Sequence, residues 1–162
     1  MKDINHVNLI RLVELYHGKS TLLIVQEHCQ SKTLRQHITD RKEGFPSILK
    51  EKVSEAFLAN LLVQAVRGVA FAHGRGVIHT CITPDNVYLS ESGIIKISDF
   101  GLSTLLSSPN SPLNYQTPES LSLHPISTPA DIYAIGLLVH ETSTGKKTFD
   151  AKPYLCGRVE DI

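Results

Sequence analysis

Residues 54–73 constrain the fold more than any other part of this chain. Phe57, Leu61, Ala65, Val69 and His73 recur every four residues, and Leu58, Leu62, Val66 and Ala70 run beside them. Two adjacent apolar rows at that spacing predict one long helix with a wide buried stripe. Ser54 offers a side-chain oxygen to cap it, and Gly74-Arg75-Gly76 ends it.

The flanking segments read as short pieces that can cover such a helix. Residues 4–16 pass from a polar turn into an apolar run that suits a strand or a helix-to-strand junction, and residues 17–20 are turn-like. Residues 21–29 carry a β-branched centre and read as a buried strand, although periodicity alone leaves a helix open. Residues 31–38 resemble a helix start, and Gly44, Phe45 and Pro46 break the chain. Beyond the long helix, Val87 to Leu89 and residues 94–97 flank Glu91-Ser92-Gly93, a β-hairpin with glycine in its turn. Residues 102–117 are rich in Ser, Thr, Pro and Asn and read as an exposed loop. A last helix begins near Thr128, with Thr128 as N-cap, Pro129 in the first helical position and Asp131 in the positive first turn. Ile132, Ile135, Val139 and Thr142 share one face of it, Leu137 and Leu138 widen the apolar surface, and Gly145 stops it. The order is that of an α+β domain without internal repeats.

Charge and cysteine usage narrow the function. Sixteen basic residues balance sixteen acidic ones. That argues against a basic groove for nucleic acid and against a polybasic membrane anchor. No wholly apolar stretch reaches the roughly 18 residues of a membrane span. Cys29, Cys81 and Cys156 lie too far apart for a disulfide framework or a metal-ligand spacing, which suits a reduced, cytoplasmic setting. The eight histidines form no HExxH pair.

The chemistry concentrates in residues 79–101, HTCITPDNVYLSESGIIKISDFG. With the segments around it, this stretch resembles the eukaryotic protein kinase family, serine/threonine type. Asn5-His6-Val7-Asn8 is similar to the family's His-Pro-Asn junction after its αC helix, and residues 21–29 to its fifth strand and hinge. Residues 53–73 resemble its αE helix and residues 79–86 its catalytic loop. Asp99-Phe100-Gly101 resembles its magnesium motif and Thr117-Pro118-Glu119 the end of its activation segment. Asp131 and Gly136 match its αF helix. Five signatures in order carry far more weight than one triplet. Two details, IVQEHC and NVYLSESGIIKISDFGLS, lean toward the NIMA-related (Nek) kinases.

The resemblance implies a site and departs from it. Asp99 and Asn86 would be the magnesium ligands. Gln26, as gatekeeper, Glu27 and Cys29, in the hinge, and Tyr88, on the pocket floor, would be a vestigial adenine pocket. ATP and Mg2+ are the implied cofactors, their binding weak or lost. Cys81 stands where the family's catalytic aspartate belongs, and a thiol accepts hydrogen bonds weakly. A redox or nucleophilic role is conceivable, but a small inert cysteine is the plainer expectation. Asp85, four positions on, reads as a turn residue rather than a substitute. Thr83 stands at the position of the loop lysine and brings no positive charge to a transferred phosphate. Thr80 replaces the loop arginine, so phosphates on Ser103, Thr104, Ser107, Ser108 or Ser111 would lack their usual partner.

The expected extent is one partial kinase-like domain over residues 1–162, with residues 1–29 running from the end of αC to the hinge and residues 30–162 forming the helical C-lobe to about αG. The glycine-rich loop, the third strand with its lysine, most of αC and the helices after αG are expected to be lacking. Glu119 is expected to miss the arginine it normally pairs with, since Arg158 falls in the wrong element. Three readings follow: an inactive pseudokinase serving as a binding or allosteric module for a protein partner, a serine/threonine kinase active as part of a longer chain, or a degenerate fragment. The first is preferred on the chemistry of Cys81 and Thr83.

Overall fold

The computed structural model describes residues 4–19, 21–49, 53–100 and 127–147. In chain order these residues form strands β1 (Leu12–His17), β2 (Leu22–Gln26) and β3 (Lys32–Thr33), helices α1 (Leu34–Glu43) and α2 (Glu55–His73), strands β4 (Val87–Leu89) and β5 (Ile95–Ile97), and helix α3 (Thr128–Thr144). The architecture is α+β, in the manner of part of a kinase-like fold.

Helix α2 is the one read from its periodicity. Ser54 Oγ accepts from the Phe57 amide at 3.2 Å, and the chain leaves the helix through Gly74 and Gly76, the latter at φ +72°. The buried face is Leu61, Ala65, Gly68, Val69 and Ala72. One expected row is therefore correct, while Leu62, Val66 and Ala70 face outward. The buried stripe turns toward small residues because another segment approaches closely. A Cβ on Gly68 would lie 3.0 Å from Leu9 Cδ2 and 3.3 Å from Asn8 Cβ. By length and composition α2 is apolar enough to cross a membrane, which revises the expectation that no segment qualifies. Here its inner face packs on α3 and β5.

Residues 8–10 tie the sheet to this helix. Asn8 Nδ2 donates to Gln64 Oε1 at 2.9 Å and to the Ile95 carbonyl at 3.0 Å. Ile97 N donates to Asn8 O at 2.9 Å, and Ile10 N to Ile97 O at 2.8 Å. Gln64 completes the clasp by accepting from Ile95 N and donating to Gly93 O. Strands β1 and β2 pair antiparallel with an irregularity between Leu12 and Glu14, and β3, β4 and β5 form a second antiparallel sheet in that order. The expected hairpin is present, with Val87 opposite Ile97, Leu89 opposite Ile95, and Gly93 at φ +79° in the turn.

Two boundaries differ from expectation. Residues 31–33 are not helical: Lys32 and Thr33 pair with Leu89 and Tyr88, and α1 starts at Leu34. Thr33 Oγ1 accepts from Gln36 N while Gln36 Oε1 accepts from Thr33 N, a reciprocal cap that fixes the helix start at Leu34 rather than residue 31. At α3 the N-cap is Ser127 rather than Thr128, without a side-chain cap bond. The buried face of α3 is Ala130, Asp131, Ala134, Ile135, Leu137, Leu138, Glu141 and Thr142; Ile132 is exposed and off the face first assigned to it. Gly145 ends the helix at φ +69°, donating to Glu141 O. The loop expected at 102–117, and everything read in it, lies outside the described residues.

Candidate functional site

The site is built on the turn between α2 and β4, and Asp131 of α3 holds that turn. Asp131 is fully buried. Its Oδ2 accepts from His79 N at 2.8 Å and faces His73 Nε2 at 2.7 Å, and its Oδ1 accepts from Thr80 N at 2.7 Å. Thr80 sits at φ +69°, a left-handed conformation that a β-branched residue adopts only when its surroundings impose it. The carboxylate that composition placed in the helix's first turn is therefore an anchor for the preceding loop.

His79 is buried at the centre of the turn. Its Nε2 lies 2.8 Å from the Ser98 carbonyl. A carbonyl only accepts, so Nε2 carries the proton and Nδ1 accepts from Cys81 N at 3.3 Å. Burial pushes the imidazole below its usual value, outweighing the nearby Asp131 charge. The ring meets Phe100 edge-on at 4.4 Å.

Cys81 is half-buried, and its carbonyl accepts from Asn86 Nδ2 at 2.6 Å. Thr83 is buried: its amide donates to Asn86 Oδ1 at 2.8 Å, and its Oγ1 accepts from Asp85 N at 3.3 Å. The hydroxyl is thus turned into the loop. Asn86 uses both ends of its carboxamide on loop backbone. Its own carbonyl accepts from Ser98 N at 2.9 Å, which brings the Asn86 and Asp99 segments together.

Asp99 is at φ +66°, a conformation Asp tolerates better than most residues. Gln26 Nε2 donates to its Oδ1 at 3.1 Å. Ser98 Oγ lies 3.0 Å from its Oδ2 and 3.3 Å from Asn86 O. The hydroxyl has one proton, and the nearer, charged acceptor takes it. Glu27, next in the chain, pairs with Lys96 on β5 and accepts from Arg11 N at 3.3 Å; the lysine contact holds its carboxyl below the usual value. Tyr88, half-buried on β4, lies opposite Thr33 and Lys96. Cys29 follows β2 and is half-buried. Among the described residues neither Cys29 nor Tyr88 hydrogen-bonds to Asp99. A cavity of about 690 Å³ opens beside Lys32, His37, Ser47 and Leu89, and none of the nominated residues lines it.

The oxygens of Asp99 and Asn86 are of the hard type that magnesium prefers. As arranged they do not fit it. Asp99 Oδ1 and Oδ2 and Asn86 Oδ1 each already accept a bond from a neutral protein donor. Neither Cys81 nor Thr83 adds a fixed negative charge. Among the described residues no group of three His, Cys, Asp or Glu side chains is placed to hold a metal ion.

Sequence reasoning missed three contributors. Ser98, to which the sequence assigns no role, bridges Asn86 to Asp99. Arg35 binds the fully buried Glu141 and also Asp85, at 3.3 Å, joining α1, the loop and α3. A glutamate on the apolar side of α3 was the available signal for that network. Gly101, Thr117-Pro118-Glu119, the five candidate phosphorylation positions, Cys156 and Arg158 lie outside the described residues.

A family model described as protein kinase domain matches residues 1–155. The chain is similar to sperm motility kinase 3A of Mus musculus, 32% identical over 155 residues, which is 91% of this chain and 29% of that protein. It is similar to the interferon-induced, double-stranded RNA-activated protein kinase of Mus musculus, 30% identical over 87% of this chain and 30% of that protein. It is also similar to the serine/threonine-protein kinase PrkC of Bacillus subtilis (strain 168), 31% identical over 93% of this chain and 23% of that protein. The chain spans less than a third of the length of each of these relatives.

Proposed function

The chain belongs to the eukaryotic-type serine/threonine protein kinase family, and from that premise we propose that it is a catalytically inactive member, a pseudokinase that works as a binding or allosteric module. The observation that carries this is Cys81. Phosphoryl transfer rests on positioning and charge, and the family places at that loop position the aspartate that accepts the substrate hydroxyl's proton. A thiol accepts hydrogen bonds weakly, and losing such a group typically removes on the order of 10²–10⁴-fold from the rate. Thr83 adds to the deficit: at the position of the loop lysine it presents a hydroxyl that is buried and bonded to the Asp85 amide.

In this reading Gln26, Glu27, Cys29 and Tyr88 mark a vestigial adenine pocket, and Asp99 and Asn86 a vestigial metal site with weak or lost affinity for ATP and Mg2+. The domain runs over residues 1–162, its setting is cytoplasmic, and its partner is another protein rather than nucleic acid or a membrane. The hinge and the β4–β5 sequence lean toward the NIMA-related group. A second reading, a serine/threonine kinase that transfers phosphate as part of a longer chain, is favoured by one feature: Asn86 and Asp99 are held in adjacent backbone positions.

The test is transfer of label from γ-labelled ATP with Mg2+ to the chain itself and to a generic protein substrate. No incorporation is expected. Incorporation that disappears in Asp99→Ala overturns the proposal in favour of the second reading.

A further inference from the structure

We propose that Gln26 is a positioning residue that holds the Asp99 carboxylate where a divalent cation would otherwise sit, so that the side-chain amide keeps metal off this aspartate. The inference rests on reading Asp99 as the family's metal position, and it adds to that reading a specific residue that keeps the position closed.

Four observations carry it. First, the Gln26 amide is delivered by a fixed scaffold. Gln26 pairs with Leu12 at the end of β2, Glu27 N donates to Arg11 O at 2.9 Å, and the Glu27–Lys96 ion pair ties the same strand end to β5. Second, the contact spans 73 positions of sequence and places a donor 3.1 Å from Oδ1. A magnesium ion on that oxygen would stand about 2.0–2.1 Å from it. An ion on the lone pair that the amide now holds would face the positive end of the Gln26 N–H, so binding there has to displace the amide. Third, the other oxygen is also engaged: Ser98, just past β5 and strapped to Asn86 O through its amide, gives its hydroxyl proton to Oδ2. Fourth, Asn86 offers no relief, because its Oδ1 accepts from Thr83 N and its Nδ2 donates to Cys81 O. Two neutral donors thus satisfy a half-buried carboxylate held in a left-handed backbone conformation, the task a bound cation would also perform.

The test compares Mn2+ binding, followed by the relaxation of water protons at the bound ion, in the wild-type chain, Gln26→Leu and Asp99→Ala. Mn2+ alone is the probe, so the readout does not depend on nucleotide or turnover. The wild type should bind no more tightly than Asp99→Ala. Gln26→Leu should bind on the order of tenfold more tightly than wild type, a change of about 1.4 kcal/mol, and Asp99→Ala placed in the same chain should remove the gain. If thermal unfolding shows that the leucine variant does not fold, Gln26→Met, unbranched and of similar length, gives the same comparison. Mn2+ binding in the folded variant equal to wild type overturns the proposal. Binding weaker than wild type also overturns it, by showing that the amide turns its oxygen to the metal. Phosphate transfer by the wild-type chain would sink the inactive reading without deciding this comparison, so the two failures are distinguishable.

Discussion

Replacing Asp131 by alanine should be among the most damaging single changes in the described residues. The carboxylate accepts from His79 N and Thr80 N and pairs with His73, all within 2.7–2.8 Å, and it has no exposure to solvent. Hydrogen bonds to a charged acceptor contribute about 1.5–3 kcal/mol each, and a buried donor that loses its acceptor costs about 1–3 kcal/mol. Thr80 and His73 are half-buried, so water recovers part of what they lose; His79 is buried and recovers little. The left-handed Thr80 backbone, worth about 1–3 kcal/mol of strain, also loses the bond that holds it. The expected loss is about 3–5 kcal/mol, a large share of the roughly 5–15 kcal/mol that holds a domain together. Asp131→Asn keeps the shape and can accept from one of the two amides, so it should lose about half as much. Urea unfolding followed by circular dichroism reads both as midpoint shifts at unchanged slope, and hydrogen exchange should quicken first at the His79 and Thr80 amides. A loss below about 1 kcal/mol in Asp131→Ala would refute the anchoring role.

Four further outcomes follow from packing and titration. Gly136 is exposed in the middle of α3, with no described atom within 4 Å of an added Cβ, so Gly136→Ala should stabilise by about 0.8–1 kcal/mol. Gly68→Leu, forced against Leu9 and Asn8, should destabilise by about 1–3 kcal/mol in the same denaturation assay. His79, His37 and His6 have folded-state values lowered from 6.5, chiefly by burial, so the unfolded chain binds their protons first. Stability should therefore fall as pH drops through about 6.5. Glu27, lowered from 4.5 mainly by its Lys96 bond, adds a loss of the same sign at lower pH. His79→Gln, which can still donate to Ser98 O but does not titrate, should flatten the dependence of the urea midpoint between pH 7 and 5.

The elements with a strong period or a cap were legible from sequence: α2 with Ser54, the β4–β5 hairpin around Gly93, and α3 ending at Gly145. The errors lie where tertiary contact overrides pattern. The second row of α2 turns outward because Gly68, small enough for the Asn8–Leu9 segment to approach, and Ala72 take the inner face. Residues 32–33 go to a strand because β4 offers them partners that local propensity does not register. At the site, motif spacing pairs Asn86 with Asp99, and the structure brings their segments side by side through the Ser98 amide. What spacing could not reveal is that Asp131, read as a helix-dipole residue, reaches back 51 positions to Thr80, or that Gln26 reaches forward 73 to Asp99. Such contacts depend on how two elements dock, and neither strand nor helix periodicity encodes it.

The seam where Asn8 and Gln64 clasp the hairpin is assembled from two carboxamides and main-chain atoms, with no ionisable group among them. These bonds carry no charge for salt to screen, and acid reaches the joint only through His6, whose Nδ1 accepts from Asn8 N at 3.1 Å. Acidification therefore loosens the turn around Cys81 through His79 and this joint only at its His6 edge, while the carboxamide bonds that dock the hairpin on the long helix have nothing to titrate.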